Sequence, residues 1–462
     1  MMNADEMHVL PSSFRDPAGF MCETGGEMYR VVTTEGREDV QHFFDSGLYD
    51  ELGKAALILP HEQVSPSMVG MKDDVRVLRT NRLPFFSYPY EWSYAQFRDA
   101  ALLTLDVTRR ALNRGMILKD ASAFNVSFHG THAYFVDMLS FTRYTEGAPW
   151  LAYRQFCEHF LAPLLLSDYS GGQLFTMLQS HVDGIPLGIA ASLLPLRSRF
   201  RFSESLHVHA HASGIRRFSV TGSQQARQRS TNVGALVESL WGLVSRLPRR
   251  RGTSGWSDYY DSTVYSDSEE AEKEQFVRTF IEEITPSAVW DLGSNTGRYA
   301  RIASELGIST VAMDADPAVV DRMYQEGKAR DDRTLLPLVM NIAQPSPRLG
   351  WAHEERASLQ DRGPVDAALY LGIVHHLRFT HTIPLGKQIE YLAAIARNVV
   401  FEWIPPDDIN VRRMIAGTVK EFLPYSIDIL ESELRKYFSV EKRMPVGSTG
   451  RLLHHLRLLP VP

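Results

Sequence analysis

The stretch Val289-Trp290-Asp291-Leu292-Gly293-Ser294-Asn295-Thr296-Gly297-Arg298 constrains this chain more than any other. A short apolar run ends in a carboxylate, and a turn with two glycines follows. Arg298-Tyr299-Ala300-Arg301-Ile302-Ala303 then opens a helical pattern. Glycine permits positive φ in such a turn, and without a Cβ it lets a ligand lie against the backbone. The first helical N–H groups point at whatever sits above the strand end. A glycine turn alone is weak evidence, so its neighbours decide what it means.

Four further apolar runs follow at the spacing of alternating strands and helices. Ser309-Thr310-Val311-Ala312-Met313 ends in Asp314-Ala315-Asp316-Pro317, and Leu336 to Met340 ends in Asn341-Ile342. Val365 to Tyr370 runs into Leu371-Gly372-Ile373-Val374-His375-His376-Leu377. Asn398-Val399-Val400-Phe401 ends in Glu402-Trp403. Such alternation predicts a parallel sheet with its ligand above the carboxyl edge. The turn reads G-x-x-x-G, not the G-x-G-x-x-G of dinucleotide sites, which argues against NAD.

D-L-G-S-N-T-G, then A-M-D-A-D, then L-G-I-V-H-H-L resemble the motifs of class I S-adenosylmethionine-dependent methyltransferases, over about the last two-fifths of the chain. The resemblance implies a Rossmann-like sheet of parallel strands ending in an antiparallel hairpin, and S-adenosyl-L-methionine as cofactor. It places Asp291, Gly293, Ser294, Asn295 and Gly297 around the methionine part, Asp314 on the ribose hydroxyls and Ala315 beside the adenine. Asn341, where the family often has Asp, would reach the adenine amine, with Ile342 next to it. Leu371 and Gly372 would lie close to the sulfonium. Phe438 to Glu441 and Leu452 to Leu459, joined through Gly447-Ser448-Thr449-Gly450, read as the closing hairpin.

A chain of 462 residues has room for two or three domains. The expected division is an N-terminal α+β domain over 1–200, an Arg/Ser-rich linker region over 201–254 and the methyltransferase domain over 255–462. With 49 basic against 55 acidic residues the net charge is −6, so nothing drives the whole chain toward nucleic acid. The two cysteines, Cys22 and Cys157, make a disulfide scaffold unexpected and favour a cytoplasmic location. No apolar run is long enough to span a membrane. The first residues have neither the basic region nor the apolar core of a signal peptide.

In the N-terminal half, Gly19 to Cys22 and Met28 to Val32 flank Gly25-Gly26 as a hairpin. Residues 39–54 and Tyr94 to Asn113 carry helical spacing. Between them lies the proline- and aromatic-rich connector Leu83 to Trp92. Asp120, Asn125 and Asp137 then follow the spacing of the catalytic loop and metal-binding strand of kinase-like phosphotransferases, a weak resemblance. It implies a kinase-like domain for acceptor recognition or nucleotide binding, in which Asn125 and Asp137 would hold magnesium. The usual glycine loop and strand lysine are missing, Arg30 is the nearest cation, and Met138 follows Asp137. The competing reading is that Asp120 and Asn125 cap a turn.

Trp150, Tyr153, Phe156, Phe160 and Leu164 form a stripe that suits a core better than a ligand box. His207, His209 and His211 alternate as on a strand. No cluster of Cys or carboxylates lies nearby to complete a metal set, and no metal site is assigned. Residues 214–254 carry eight arginines around a helical piece from Val233 to Leu247. The aromatic segment Gly255 to Tyr265, ahead of a helix over Glu269 to Ile284, either covers the cofactor site or packs against the first strand of the sheet. Lys273 in that helix faces either an acidic group or solvent.

Methyl transfer needs the nucleophile and the methyl in line and shielded from water. A base is needed only if the acceptor must lose a proton. His375 and His376 are the candidates, because imidazole titrates near neutrality. Glu402, closing the fifth strand, is the third. The acceptor is expected to be a small molecule or a glycan, such as a bacterial secondary metabolite. The alternative is a bifunctional or scaffold protein whose kinase-like half binds nucleotide and magnesium. Oligomeric state has no signature in the sequence.

Overall fold

A computed structural model describes residues 7–72, 74–210, 232–248 and 265–460. They divide into two compact units. The first is drawn from Met1–Phe128, Ala133–Arg250 and Leu349–Arg356, the second from His129–His132, Arg251–Arg348 and Ala357–Pro462.

The first unit carries a five-stranded antiparallel sheet ordered β1 (His8–Val9), β2 (Gly19–Thr24), β3 (Glu27–Val32), β5 (Arg76–Thr80), β4 (His61–Val64). β2 and β3 form the hairpin over Gly25-Gly26, both at positive φ. One face buries Cys22, Tyr29, Val31 and Val77. The helix expected over 39–54 is two helices, Arg37–Asp45 and Leu48–Lys54, because Gly47 takes a φ of 75° between them. Tyr94–Asn113 is one helix, started by Ser93 and Gln96 in a reciprocal cap. Short ladders pair β6 (Met116–Leu118) with β9 (Phe141–Arg143) and β7 (Val126–His129) with β8 (His132–Phe135).

Trp150, Phe156, Phe160 and Leu164 are buried in the core. The expected strand at His207 to His209 is instead a π-helical turn, Ser205–Ala210. There His207 bonds Tyr153 Oη at 2.7 Å and Ser239 Oγ at 3.0 Å, and His209 bonds Ser198 Oγ at 2.7 Å. A period of two in sequence also fits a π-helical turn when its histidines find hydroxyl partners. His211, the arginines from 216 to 229 and from 249 to 251, and the aromatic segment from 255 to 264 lie outside the described residues. The helical piece between them is Val233–Arg246.

The second unit is built on one seven-stranded sheet. Its order is β12 (Leu335–Val339), β11 (Ser309–Asp314), β10 (Ala288–Leu292), β13 (Val365–Tyr370), β14 (Ala396–Trp403), β16 (Leu452–Leu458), β15 (Phe438–Pro445). The first five are parallel, and β16 and β15 close the edge as an antiparallel hairpin. The parallel strands read as nearly continuous apolar runs because helices cover both faces. One face packs Val289, Ala367, Leu369, Val400 and Leu453 against Val277, Phe280 and Ile281 of the Asp267–Ile284 helix. The other packs Ala312 and Leu335 against Val319, Val320 and Met323 of the Pro317–Ala329 helix. Ser266 and Glu269 cap the first of these helices reciprocally, and Asp316 caps the second with Pro317 in its first turn. The chain order of this sheet reverses between β10 and β13, which opens a crevice at their carboxyl ends.

Candidate active site

A cavity of about 460 Å³ lies over the carboxyl edge of the seven-stranded sheet. Asp291, Gly293, Ser294, Asn295, Asp314, Ala315, Asn341, Ile342, Leu371 and Gly372 all line it, as do His376 and Glu402. The carboxyl ends of β10, β11, β12, β13 and β14 thus bring together residues more than a hundred positions apart. Gly297 stands behind the turn at a φ of 77° as the N-cap of the Arg298–Glu305 helix. Gly293 has a φ of 81°, and a Cβ there would run into the Ile373 side chain. No residue with a side chain fits that position without moving the loop that follows β13.

The turn leaves several polar atoms open. Asp291 Oδ2, Ser294 Oγ and Asn295 Oδ1 are buried and find no hydrogen-bond partner among the described residues. Buried groups of this kind are rare unless a ligand or water completes them. Burial and the nearby Asp314 carboxylate push Asp291 up to about 7, against the pull of Lys273. Asp314 Oδ2 accepts from Asn295 N at 2.8 Å and Oδ1 from Asp316 N at 2.9 Å. Each oxygen keeps a second lone pair, which is what a ribose diol needs. Asn341 is exposed, and its Oδ1 accepts from Ala343 N at 2.9 Å while keeping a second lone pair that can accept from an amine.

The two histidines part company. His376 lines the cavity, and burial lowers its imidazole to about 4, so it is neutral at physiological pH. His375 is only 1% exposed, is absent from the cavity lining, and has neither ring nitrogen paired among the described residues. Burial holds it well below the usual histidine range. Of the two, only His376 lines the cavity.

Glu402 is fully buried inside a polar cluster. Its Oε2 accepts from Lys273 Nζ at 2.7 Å, and its Oε1 accepts from Tyr265 Oη. Arg451 Nη1 lies 3.8 Å from Glu402 and donates to Tyr265 Oη, while its Nε donates to Asp408 at 2.9 Å. Burial alone would raise Glu402, but Lys273 and Arg451 outweigh it and hold the carboxyl below its ordinary value. A carboxylate so thoroughly paired is a poor proton acceptor and a good anchor. A Cβ added at Gly372 would lie 3.9 Å from Glu402 Oε2, so the cluster borders the loop that follows β13. Arg451 carried no signal in the sequence. It reaches the site only because the β15–β16 hairpin brings it back beside β14.

In the first unit, Asp137 pairs with Arg30 at 2.9 Å, takes Ser140 Oγ at 2.5 Å and caps the turn Met138–Ser140. Asn125 Nδ2 donates to Ser140 Oγ at 3.0 Å, and Asp120 Oδ1 accepts from Ser122 N at 2.8 Å. The three come close together, and all serve turns. Among the described residues no group of three or more His, Cys, Asp or Glu side chains is gathered as a metal set.

The fold and the pocket define a class: a Rossmann-like domain of parallel strands closed by an antiparallel hairpin, with a cavity over the sheet's carboxyl edge. No family model matches the chain. The nodulation protein NoeA of Rhizobium meliloti (strain 1021) is 29% identical over 455 residues, spanning 96% of this chain and 95% of that protein. Among solved structures, the N-methyltransferase NodS from Bradyrhizobium japonicum WM9 is 16% identical at a TM-score of 0.30, over 42% of this chain and 98% of that one. The bifunctional kinase-methyltransferase WbdD is 15% identical at a TM-score of 0.31, over 47% of this chain and 45% of that one. The fold rests on the chain's own strand order. Among the described residues no helix is long and apolar enough to cross a membrane.

Proposed function

We propose that this chain is an S-adenosylmethionine-dependent methyltransferase whose acceptor is a small molecule or a glycan. One observation carries the reading: a single cavity gathers the glycine turn, Asp314 and the Leu371-Gly372 loop, with unpartnered polar atoms of Asp291, Ser294 and Asn295 inside it. The donor set suits the cofactor part by part. Asp291 takes the ammonium of the methionine end, Asp314 the ribose hydroxyls, and Asn341 and Ile342 border the base.

When bound, S-adenosylmethionine supplies a methyl group on a positively charged sulfur. The protein's share is to orient the acceptor in line and to keep water away. Leu371, 7% exposed, forms part of the dry wall. His376, neutral and on the cavity wall, is positioned to accept a hydrogen bond from a hydroxyl or amine of the acceptor, but at about 4 it is a weaker base than an ordinary imidazole. Glu402 acts through Lys273 and Arg451, holding both cations in place.

The relative NoeA aligns over nearly all of both chains, so both units have counterparts in a nodulation protein. That supports seeking the acceptor among the glycans and small molecules of a plant-associated bacterium. The division into 1–200, 201–254 and 255–462 is retained as a proposal, with acceptor recognition assigned to the first segment. The nucleotide- and magnesium-binding alternative loses ground, because Arg30 already neutralises Asp137.

Calorimetric titration with S-adenosylmethionine and S-adenosylhomocysteine tests the reading. Asp314→Ala should weaken binding by roughly 1–3 kcal/mol, the worth of charge-assisted contacts to the diol. Absence of binding to the intact protein would overturn it.

A further inference from the structure

The pocket's cofactor set, as placed by motif, contains an anion for the methionine ammonium and no cation for the carboxylate beside it. Ammonium and carboxylate sit on one carbon atom, so their partners must lie close together. Backbone N–H groups of a glycine turn could serve the carboxylate, but in this chain four of the five from Gly293 to Gly297 are already bonded within the protein. Gly293 N and Ser294 N donate to Met313 O at 2.8 and 2.9 Å, and Gly297 N donates to Ser294 O at 2.8 Å. Asn295 N donates to Asp314 Oδ2 at 2.8 Å.

We infer that Lys273, from the Asp267–Ile284 helix, is the ligand for the cofactor's α-carboxylate, with Glu402 and the rings of Tyr265 and Tyr299 holding its ammonium in place. This rests on reading the pocket as an S-adenosylmethionine site. Lys273 is 4% exposed and lines the same cavity as Asp291. It is close enough to Asp291 for the two charges to act on each other. Its Nζ sits 4.7 Å from the Tyr299 ring centroid and 5.1 Å from that of Tyr265. Its hydrogen bond goes to Glu402 at 2.7 Å, and an ammonium has three N–H groups. Two therefore remain for oxygen atoms of a ligand. Asp291 and Lys273 together present one negative and one positive group to a zwitterion.

Arg451 is the competing cation. Its Nη2 is buried without a partner among the described residues, but its other nitrogens are committed to Asp408, Tyr265 and Glu402. Lys273 is preferred because it is the cation with an electrostatic tie to Asp291 and the one that packs on Tyr299, in the first turn of the helix after the glycine loop.

Three probes separate the possibilities by equilibrium binding on the full chain. S-adenosylhomocysteine carries ammonium and carboxylate, decarboxylated S-adenosylmethionine carries the ammonium alone, and methylthioadenosine carries neither. For Lys273→Met the expected result is at least tenfold weaker S-adenosylhomocysteine binding, with the other two probes within twofold of wild type. Because the single change strands the Glu402 carboxylate, the double variant Lys273→Met/Glu402→Gln is measured alongside it, and the same pattern is expected there. Equal weakening of all three probes, or of none, would overturn the inference. So would loss of carboxylate discrimination in Arg451→Gln with Lys273→Met unaffected. Failure of wild type to bind any probe would instead refute the methyltransferase reading itself, a result distinct from all of these.

Discussion

Cofactor binding should be coupled to proton release at Asp291. In the ligand-free protein, burial and the neighbouring Asp314 push this carboxyl up to about 7. A ligand ammonium against its unpartnered Oδ2 favours the ionised form and pulls the value down. The sign follows. Affinity is at its full value above about pH 7 and is lost as pH falls, since the protonated carboxyl must give up its proton before it can pair. At pH 8 about nine-tenths of the ligand-free protein carries ionised Asp291, and at pH 6 about one-tenth does. S-adenosylhomocysteine should therefore bind roughly tenfold more weakly at pH 6 than at pH 8, about 1.4 kcal/mol. His376 sits at about 4 and does not titrate in this window. Burial also raises Asp314, which acts in the same sense. The assay is titration calorimetry at half-unit steps of pH in two buffers of different ionisation enthalpy, which counts the protons released. Asp291→Asn separates the contributions: it should bind more weakly and lose most of the pH dependence. Affinity constant within twofold from pH 6 to 8, with no proton release at pH 6, would refute the placement of Asp291 against a cationic group.

Two further outcomes follow from packing. Gly293→Ala should abolish measurable S-adenosylhomocysteine binding or weaken it by more than tenfold, because a Cβ meets Ile373 and the backbone is at a φ of 81°. A melting scan should show the protein still folded, since the turn is not in the core. Leu453→Ala, at a fully buried position where β16 packs on the Asp267–Ile284 helix, should cost about 2–5 kcal/mol in urea unfolding. A loss below 1 kcal/mol would mean that the closing hairpin is not part of the same core.

The cofactor half was legible in the sequence for a physical reason. Each parallel strand is buried on both faces, so it is written as an unbroken apolar run, and each run stops at the sheet's carboxyl edge in a residue that lines the cavity. Asp291, Asp314, Asn341, Leu371 and Glu402 could be found by that punctuation, and all five line one cavity. Arg451 could not, because its place depends on a hairpin pairing Val400 with His455 across 55 positions of chain. The same limit governs the first unit. The spacing of Asp120, Asn125 and Asp137 suggested a metal-binding loop, but sequence alone does not show that β3 delivers Arg30 to Asp137. A carboxylate facing an open cation site and one already holding a guanidinium look identical until the strands are paired. Lys273 lies between these cases. Its residue type was visible on a helix full of acidic neighbours, where solvent was the simplest expectation. Its burial between two tyrosines and Glu402 is a tertiary fact, and from that fact its assignment to the carboxylate follows.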